Sequence, residues 1–326
     1  MLTRQALRLF VIALVILMTK PPLQAQTDST RRQGIDSFLL KRKGIIGDLA
    51  KNLVADTTTK EEPLVSLQRN DKRFERFKGR VIRNIRIQSL DFGVSLGDTT
   101  QGINTGLTRL ANNLHHKSRE YVIRKNLFFH ENQKLYPFLL ADNERHLRDQ
   151  EFIQDALILV RPVPGSQDSV DVIVRTKDVF SIGGRARMHN LTSFSVEARE
   201  DNIYGTGDRF AVRLLFDNKR ERKVGLGSEY IARNIGGSFV DGSIGVLNFQ
   251  DAFNNGKEQE VIQYARFIRP LVNPYTRWTY AFEAANHRTT NMYASDSLYE
   301  SDFQYKYYNI DAWAGLNMSA DKLTGK

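Results

Sequence analysis

The chain has 326 residues, a net charge of +10 and no cysteine, which excludes disulfides, thiolate metal sites and a lipid-modified cysteine. Its mean hydropathy is −0.42, and no segment after the N-terminus approaches a helical membrane span. Lys and Arg are scattered along the chain, which favours basic loops facing anionic lipid or solvent over a nucleic-acid surface.

The N-terminus has the layout of a secretory signal peptide. Arg4 and Arg8 supply a positive region, and the apolar run Leu9–Met18 follows. The run is shorter than the roughly 20 apolar residues that a transmembrane helix requires. Ala25 offers a small residue for cleavage before Gln26. We therefore predict a signal peptide over residues 1–25 and an exported protein.

Residues 26–78 are polar and mixed, with one possible amphipathic helix near Ile35–Val54. They are interpreted as a linker with limited structure.

Residues 79–177 alternate strand and helix signals. Val81–Ser89 has the alternation of a half-buried strand, with Ile85 and Ile87 on one face. Ser118 is expected to cap a first helix, and Asp142 a second. The inward side chains of the first helix are expected to be Val122, Ile123 and Leu127.

Two further strands are expected to close this region as a hairpin. Phe152–Val160 is almost continuously apolar, Gly165–Asp168 is a turn, and Val170, Val172 and Val174 alternate with Asp171 and Arg175 in a final strand. The predicted order is β-α-α-β-β, an α+β domain with helices over one sheet face.

From residue 178 to residue 326 the sequence reads as an antiparallel meander. The predicted strands have about ten residues, which is the length of a tilted membrane crossing. Strands of globular proteins are shorter, at about five or six residues on average. Some late aromatic residues are expected to form an interfacial girdle, among Tyr293, Tyr299, Phe303, Tyr305, Tyr307, Tyr308 and Trp313. A soluble β-sandwich is the alternative for this region.

Several motifs resemble the Omp85 superfamily of outer-membrane proteins, the family of the BamA/TamA-like and surface-antigen D15-type barrels. Tyr121–Phe129, Asn143–Arg148 and Val170–Asp178 are similar to the helix and strand motifs of its POTRA domain. Glu200–Gly207 is similar to the turn that opens the family's barrel. The resemblance extends over roughly Gly79 to Trp313.

This resemblance implies one periplasmic POTRA domain followed by antiparallel transmembrane strands of an outer-membrane β-barrel. Family barrels have about twice the strands that fit after Asp178, and the late Arg-Gly-Phe/Tyr motif is missing. A barrel left open would expose unpaired backbone groups to lipid, which is costly. We therefore expect that these strands are the first part of a larger barrel, and that the sequence is C-terminally truncated. A small closed eight-stranded barrel is the alternative.

No catalytic constellation is recognised, and we expect neither enzymatic activity nor a cofactor. His115-His116 is interpreted as a solvated loop rather than a metal site. Gly205-Thr206-Gly207 is interpreted as a hairpin turn, since no Walker lysine follows. Asp178 is singled out because it lies at the boundary between the two regions. It is interpreted either as a functional residue of this boundary or as a turn residue or helix cap.

The predicted function is assembly or translocation of outer-membrane or secreted client proteins. A free sheet edge of the α+β domain would capture unfolded clients by β-augmentation, with Ile85, Ile87, Leu157 and Leu159 as candidate client-binding residues. Expected partners are these clients, outer-membrane lipid and accessory lipoproteins, and no nucleic acid. The alternatives are a passive channel or structural barrel, and an enzyme whose catalytic domain lies outside this sequence.

Overall fold

The computed structural model describes residues 71–92, 94, 96, 115–218, 220, 223–251, 259–290, 297 and 304–320, all within one compact unit, Lys60–Lys326. The predicted signal peptide and nearly all of the predicted linker lie outside the described residues. Within the described residues, no helix is both long and apolar enough to cross a membrane.

The first part of the described chain, here called the α+β unit, has the predicted order β-α-α-β-β after a short 3₁₀ helix. Its sheet has the strand order β1-β3-β2, with β1 parallel to β3 and β2 antiparallel to it. Its elements are the 3₁₀ helix Lys72–Phe77, β1 Val81–Leu90, α1 Glu120–Lys125, α2 Pro137–Arg148, β2 Ile153–Pro162 and β3 Ser169–Asp178.

One hydrophobic core fills the space between this sheet and its helices. Each strand contributes alternate residues because successive side chains point to opposite faces, and α1 contributes Val122 and Ile123 as expected. The 3₁₀ helix adds Phe74 and Phe77. Other fully buried members are Ile82, Leu140, Leu147, Ile158, Val170, Val172 and Val174.

Both predicted helix caps are wrong. Helix α1 begins at Glu120, and its N-cap residue Arg119 makes no side-chain capping bond. Helix α2 begins at Pro137, so Asp142 lies in its middle. Proline starts α2 because the first helical position needs no N–H donor and proline fixes the required φ. Leu127 follows α1 rather than belonging to it, and it packs against the core.

The second part of the described chain is an antiparallel sheet of eight strands, in the order β11-β10-β9-β8-β7-β6-β5-β4. Every strand pairs with its neighbour in sequence, so the sheet is a simple meander. Its strands are β4 Ile182–Asn190, β5 Ser193–Glu200, β6 Arg209–Asp217, β7 Val224–Ala232, β8 Asp241–Asp251, β9 Gln259–Arg269, β10 Trp278–Thr290 and β11 Lys306–Leu316.

The eight-stranded sheet is open. In the described part of the chain, β4 and β11 each pair with one neighbour and not with one another. The alternative of a small closed eight-stranded barrel is therefore wrong for these strands. Most residues of both edge strands, β4 and β11, are exposed.

One face of this sheet is apolar, and it is here called the apolar face. Residues directly opposite one another in a ladder share a face, so the register places Phe194 with Phe216, and Leu214 with Leu226. Large apolar side chains on this face are exposed, among them Phe210, Leu226, Ile244, Phe267, Phe282, Ile310 and Leu316. Such a surface is much larger than the isolated apolar residues normal on soluble proteins.

Aromatic residues of the apolar face gather towards its two ends. Phe210 lies opposite Tyr230, and Phe267 opposite Phe282. At the other end the rings of Phe194 and Phe216 stack at 4.8 Å between centroids. Of the aromatic residues expected to form a girdle, Tyr308 is on the apolar face, whereas Tyr307 and Trp313 are on the opposite one. The ring of Tyr305, which precedes β11, stacks on that of Tyr307. Tyr293, Tyr299 and Phe303 lie outside the described residues.

The opposite face is polar and carries ion pairs between neighbouring strands. Arg213 donates to Glu197 at 2.9 Å, and Arg266 forms an ion pair with Glu283. The hydroxyl of Tyr264 donates to Glu229. This alternation between an apolar and a polar face is the one that the sequence predicts for transmembrane strands.

Candidate functional site

The predicted client-binding residues lie on β1 and β2, which are the two edge strands of the α+β sheet. Ile85 is buried in the core, and its backbone is already engaged. Its N–H donates to Glu131 Oε1 at 3.0 Å, and its carbonyl accepts from Arg124 Nη2 at 3.0 Å. Ile87 is the next residue whose backbone groups point away from the sheet.

Segment Asn132–Leu135 covers the beginning of the β1 edge. The Ile82 N–H donates to the Gln133 carbonyl at 2.9 Å, and the Asn132 N–H donates to the Ile82 carbonyl at 2.8 Å. The part of β1 open to a new strand is therefore confined to its second half, around Ile87.

The β2 edge is guarded by carboxylates. The N–H of Ile158 donates to Glu144 Oε2 at 2.8 Å, and the N–H of Ala156 donates to Asp155 Oδ1 at 2.7 Å. Pro162 has no N–H to offer. Val160 is the remaining outward residue, and its N–H has no partner within the described residues. Exposed edges are commonly protected by charged residues and proline.

Leu157 and Leu159 have a different orientation. Because Ile158 directs its N–H outward, the backbone groups of its two neighbours point inward to β3, where Leu157 pairs with Arg175 and Leu159 with Ile173. Their side chains are half-buried on the sheet face opposite the helices. They could contact a client through side chains, but their backbones are not available to one.

A second cluster, here called the junction, joins the α+β unit to one end of the eight-stranded sheet. The turn between β5 and β6 provides its first contact. Asn202 donates through Nδ2 to the His116 carbonyl at 3.2 Å and to Ser118 Oγ at 3.1 Å. The Arg119 N–H donates to the Gly205 carbonyl at 2.9 Å.

Two glycines of this turn are required by close approach. Gly205 has φ +75°, and a Cβ there would come within 2.2 Å of the Lys117 carbonyl oxygen. Gly207 has φ +76°, and a Cβ there would lie 3.0 Å from Phe152 and 3.1 Å from Val122. The interpretation of Gly205-Thr206-Gly207 as a turn is correct, but nothing in the sequence indicated that the turn packs against the α+β unit.

The turn between β7 and β8 provides the second contact. Asn234, at φ 47°, donates through Nδ2 to the Lys125 carbonyl and to Asn126 Oδ1, both at 2.9 Å. Its Oδ1 accepts from the Phe239 N–H at 2.8 Å. Lys125 Nζ donates to the Arg233 carbonyl at 2.7 Å. Burial of Lys125 lowers the pKa of its ammonium group.

Phe239 extends this contact into an aromatic cluster. Its ring lies 5.6 Å from that of Phe128 and 5.7 Å from that of His146, between centroids. The rings of Phe128 and His146 are 4.8 Å apart. Burial among these rings lowers the pKa of His146 to about 4, so the imidazole is neutral at pH 7.

The turn between β9 and β10 provides the third contact. The hydroxyl of Tyr275 donates to Asp142 Oδ2 at 2.6 Å, and the Tyr275 ring lies 5.0 Å from that of Phe138. Asp142 therefore serves the junction instead of capping a helix. In the turn between β7 and β8, Arg233 also forms an ion pair with Glu151 of the α+β unit.

A buried Ser-His-Asp arrangement lies between the end of β3 and the segment that precedes α1. His115 Nε2 lies 3.2 Å from Asp178 Oδ2, and His115 Nδ1 lies 3.2 Å from Ser181 Oγ. The Ser118 N–H donates to the same Asp178 oxygen at 2.6 Å. The interpretation of His115 as a solvated loop residue is therefore wrong, whereas His116 is exposed.

This arrangement is built for anchoring. Asp178 and Ser181 are each 3% exposed, so no substrate can reach the serine hydroxyl, and acyl transfer requires such access. Instead Asp178, which stands out in the sequence, ties the end of β3 to the segment before α1. Across the described residues, no group of three or more His, Cys, Asp or Glu side chains is placed to hold a metal ion.

Comparisons with known proteins gave structural likenesses alone. No protein-family model matches the sequence, and no curated protein matches it. The structure is similar to that of BamA from Haemophilus ducreyi lacking POTRA domains 1–3, with a TM-score of 0.40 and 12% identity, over 73% of this chain and 42% of that one. The chain thus spans less than half of that structure.

It is also similar to CdiB from Acinetobacter baumannii. The TM-score is 0.36 and the identity 9%, over 88% of this chain and 69% of that one.

Proposed function

We propose that this protein is an outer-membrane protein of the Omp85 type that assembles or translocates client proteins. The observation that carries the membrane location is the apolar face, which is continuous across β4 to β11 and exposes residues such as Phe267 and Ile310. In water such a face is costly, at roughly 25 cal/mol for each Å² of apolar surface. Against lipid it is the favourable surface, with aromatic residues near both ends.

In this proposal the α+β unit lies in the periplasm, as its resemblance to a POTRA domain implies. The junction fixes it against one end of the sheet through the turns that contain Gly205, Asn234 and Tyr275. A client held by the α+β unit would therefore be presented to the sheet at a defined position, which is the advantage of a rigid support.

Client capture is proposed at the edges of the α+β sheet, by β-augmentation. Main-chain hydrogen bonds tolerate varied client sequences, because every residue except proline offers the same backbone groups. Elsewhere on these two edges the outward N–H groups already have hydrogen-bond partners. The positions that can pair with a client are therefore the second half of β1, around Ile87, and Val160 on β2. No catalytic chemistry and no cofactor are part of this role.

Proline substitutions test the capture step. Val160→Pro and Ile87→Pro each remove an outward N–H without breaking a ladder bond, which an edge strand tolerates. The full-length protein would carry a photo-crosslinking residue at Arg161 or Gln88, and crosslinks to an unfolded outer-membrane client would be counted. We expect each proline to reduce crosslinking at its own edge several-fold. Gln167→Pro, in the exposed turn before β3, is the matched control.

A second measurement separates assembly from a passive role. Depletion of an assembly factor lowers the amounts of many outer-membrane barrel proteins, whereas loss of a passive channel leaves them unchanged. Unchanged levels on depletion, with crosslinking equal in all three proline variants, would reject the assembly proposal in favour of a passive channel or structural barrel.

A further inference from the structure

The apolar face carries an unusual polar row near the end opposite the junction. The register aligns the polar residues Ser228, Gln263, Asn286 and Tyr308, with Val246 between the first two, side by side across β7 to β11. Elsewhere along the middle of this face the described side chains are aliphatic, aromatic or small. Amides are costly against hydrocarbon unless they are paired, so this row needs an explanation.

The amide pair in this row is incompletely satisfied. Asn286 Nδ2 donates to Gln263 Oε1 at 3.4 Å. The Asn286 Oδ1 is buried and has no partner among the described residues. An unsatisfied buried acceptor costs stability, whereas a donor on a bound molecule would complete the network.

Two cations lie one row beyond the amides. Arg288 is directly opposite Lys306 on the apolar face, and both side chains are exposed. Like charges directly opposite in a ladder destabilise a sheet. Neither residue pairs with a carboxylate within the part of the chain that the structure describes, and Lys306 Nζ lies 5.1 Å from the Tyr308 ring centroid. An anion between the two cations would relieve their repulsion.

An apolar groove begins at the amide row, which forms part of its lining, and extends away from the two cations. Its volume is about 670 Å³, within the range of about 300–1,000 Å³ that is common for ligand sites. Ala265 and Ala284 form a low floor because their side chains are short, and Tyr230, Ile244 and Ile310 stand beside them. The order along the face is thus cations, amides, then apolar groove.

We propose that this surface binds a phosphate-bearing acyl lipid of the leaflet at that end of the sheet. The phosphate contacts Arg288 and Lys306, the ester or amide linkage contacts Gln263 and Asn286, and one acyl chain occupies the groove above Ala265 and Ala284. Along the sheet the cations come first, then the amides, then the groove. This is the order of the phosphate, the linkage and the acyl chain in the lipid. This inference rests on the proposed membrane location of the sheet.

The test uses the full chain, folded in detergent, and native mass spectrometry to measure lipid binding. The probes are dioleoyl phosphatidic acid and dioleoylglycerol, which have the same chains and differ in the phosphate, together with inorganic phosphate alone. We expect the protein to bind the phosphatidic acid at least about tenfold more tightly than the neutral lipid, and not to bind inorganic phosphate measurably, because the groove supplies part of the affinity.

Two variants and a control locate the site. Arg288→Gln with Lys306→Gln should abolish the tenfold preference for the phosphate-bearing lipid, and Ala284→Phe should weaken both lipids by filling the groove. Arg185→Gln with Arg187→Gln removes the same charge from the opposite face and should leave binding unchanged. Folding of each variant is checked by circular dichroism and by the heat-dependent shift in gel mobility.

The outcomes separate this inference from the proposed function. A folded double variant that keeps its preference, or a second copy of the chain bound in place of lipid, would overturn the lipid site. A chain that does not insert into vesicles would reject the membrane location, and the lipid site with it. A lipid preference in a protein whose depletion leaves client proteins unchanged, and whose three proline variants crosslink equally, would leave the site standing and reject the assembly role.

Discussion

The carbonyl oxygen of Lys117 occupies the position in which a side chain on Gly205 would have to lie, since a Cβ would come within 2.2 Å of it. Gly205 also has φ +75°, a conformation that residues with a Cβ rarely adopt. The turn that resembles the opening motif of Omp85 barrels is therefore shaped by its contact with the α+β unit.

Gly205→Ala should weaken the junction severely. The substitution combines left-handed backbone strain of about 1–2 kcal/mol with a clash against backbone that cannot rotate away. We expect thermal unfolding at a lower temperature and faster proteolysis after Asp178. Gly236→Ala is the matched control, because Gly236 has φ +61° but a Cβ added there would meet nothing within 4 Å. Equal effects of the two substitutions would contradict the importance of this contact.

Acid should loosen the aromatic cluster of the junction through His146. Its pKa is lowered to about 4, so the folded state favours the neutral ring. The stabilisation is complete above the unfolded pKa of about 6.5 and is lost as the pH falls from there towards 4, by about 3 kcal/mol in total. Unfolding by denaturant at pH 7 and pH 4 measures this loss.

His146→Gln keeps a neutral polar group and removes the titration. We expect the difference in unfolding free energy between pH 7 and pH 4 to be smaller in this variant than in the native protein. The carboxylates titrate in both proteins, so the comparison isolates the imidazole. An identical pH dependence would show that protonation of His146 is not resisted by the fold.

Asn234 should contribute more to the free energy of unfolding than most turn residues do. Asn234→Gly keeps the left-handed backbone but removes the bonds to Lys125, Asn126 and Phe239, which should cost about 2 kcal/mol or more. Asn132→Gly is the control, since Asn132 also has a positive φ, of 65°. That change should alter the unfolding free energy by less than about 0.5 kcal/mol.

The apolar face can be tested with a pair of arginines on β11. Ala312 is on the apolar face opposite Phe282, and Asn309 is on the polar face opposite Ala285; both are exposed. In lipid, Ala312→Arg should cost about 2–4 kcal/mol and reduce folding into vesicles, whereas Asn309→Arg should fold normally. Equal folding yields would argue against lipid contact on this face.

The sequence predicted those parts of the fold that depend on periodicity. The alternation at Val170, Val172 and Val174 indicated a strand, and the order of elements in the α+β unit followed. The prediction failed at Ser118 and Asp142, because both have the side chains of helix caps but are used in long-range contacts, with Asn202 and Tyr275. A local signal cannot distinguish these two uses of the same polar group.

The candidate site was predicted in part. The candidate client-binding residues were chosen on two strands, which are the edges of the α+β sheet, and client binding there stays a prediction. The protection of those edges by Glu144 and Glu131 had no signal in the sequence, because it depends on pairings between distant positions. His115 looked like a loop residue because its partners, Asp178 and Ser181, lie more than 60 positions away. The positive φ of Phe239, at 58°, had no signal in the sequence.

The parallel pairing of β1 with β3 has a consequence for the order of folding. β1 is among the first described segments of the chain, yet its hydrogen-bonding partner is the last strand of the unit, with Gln88 and Arg175 in contact across 87 positions. Contacts between distant positions form slowly, because a long loop must close first. A chain emerging N-terminus first therefore keeps β1 without its partner until Asp178 has appeared, and that interval is the one in which a chaperone would have most to protect.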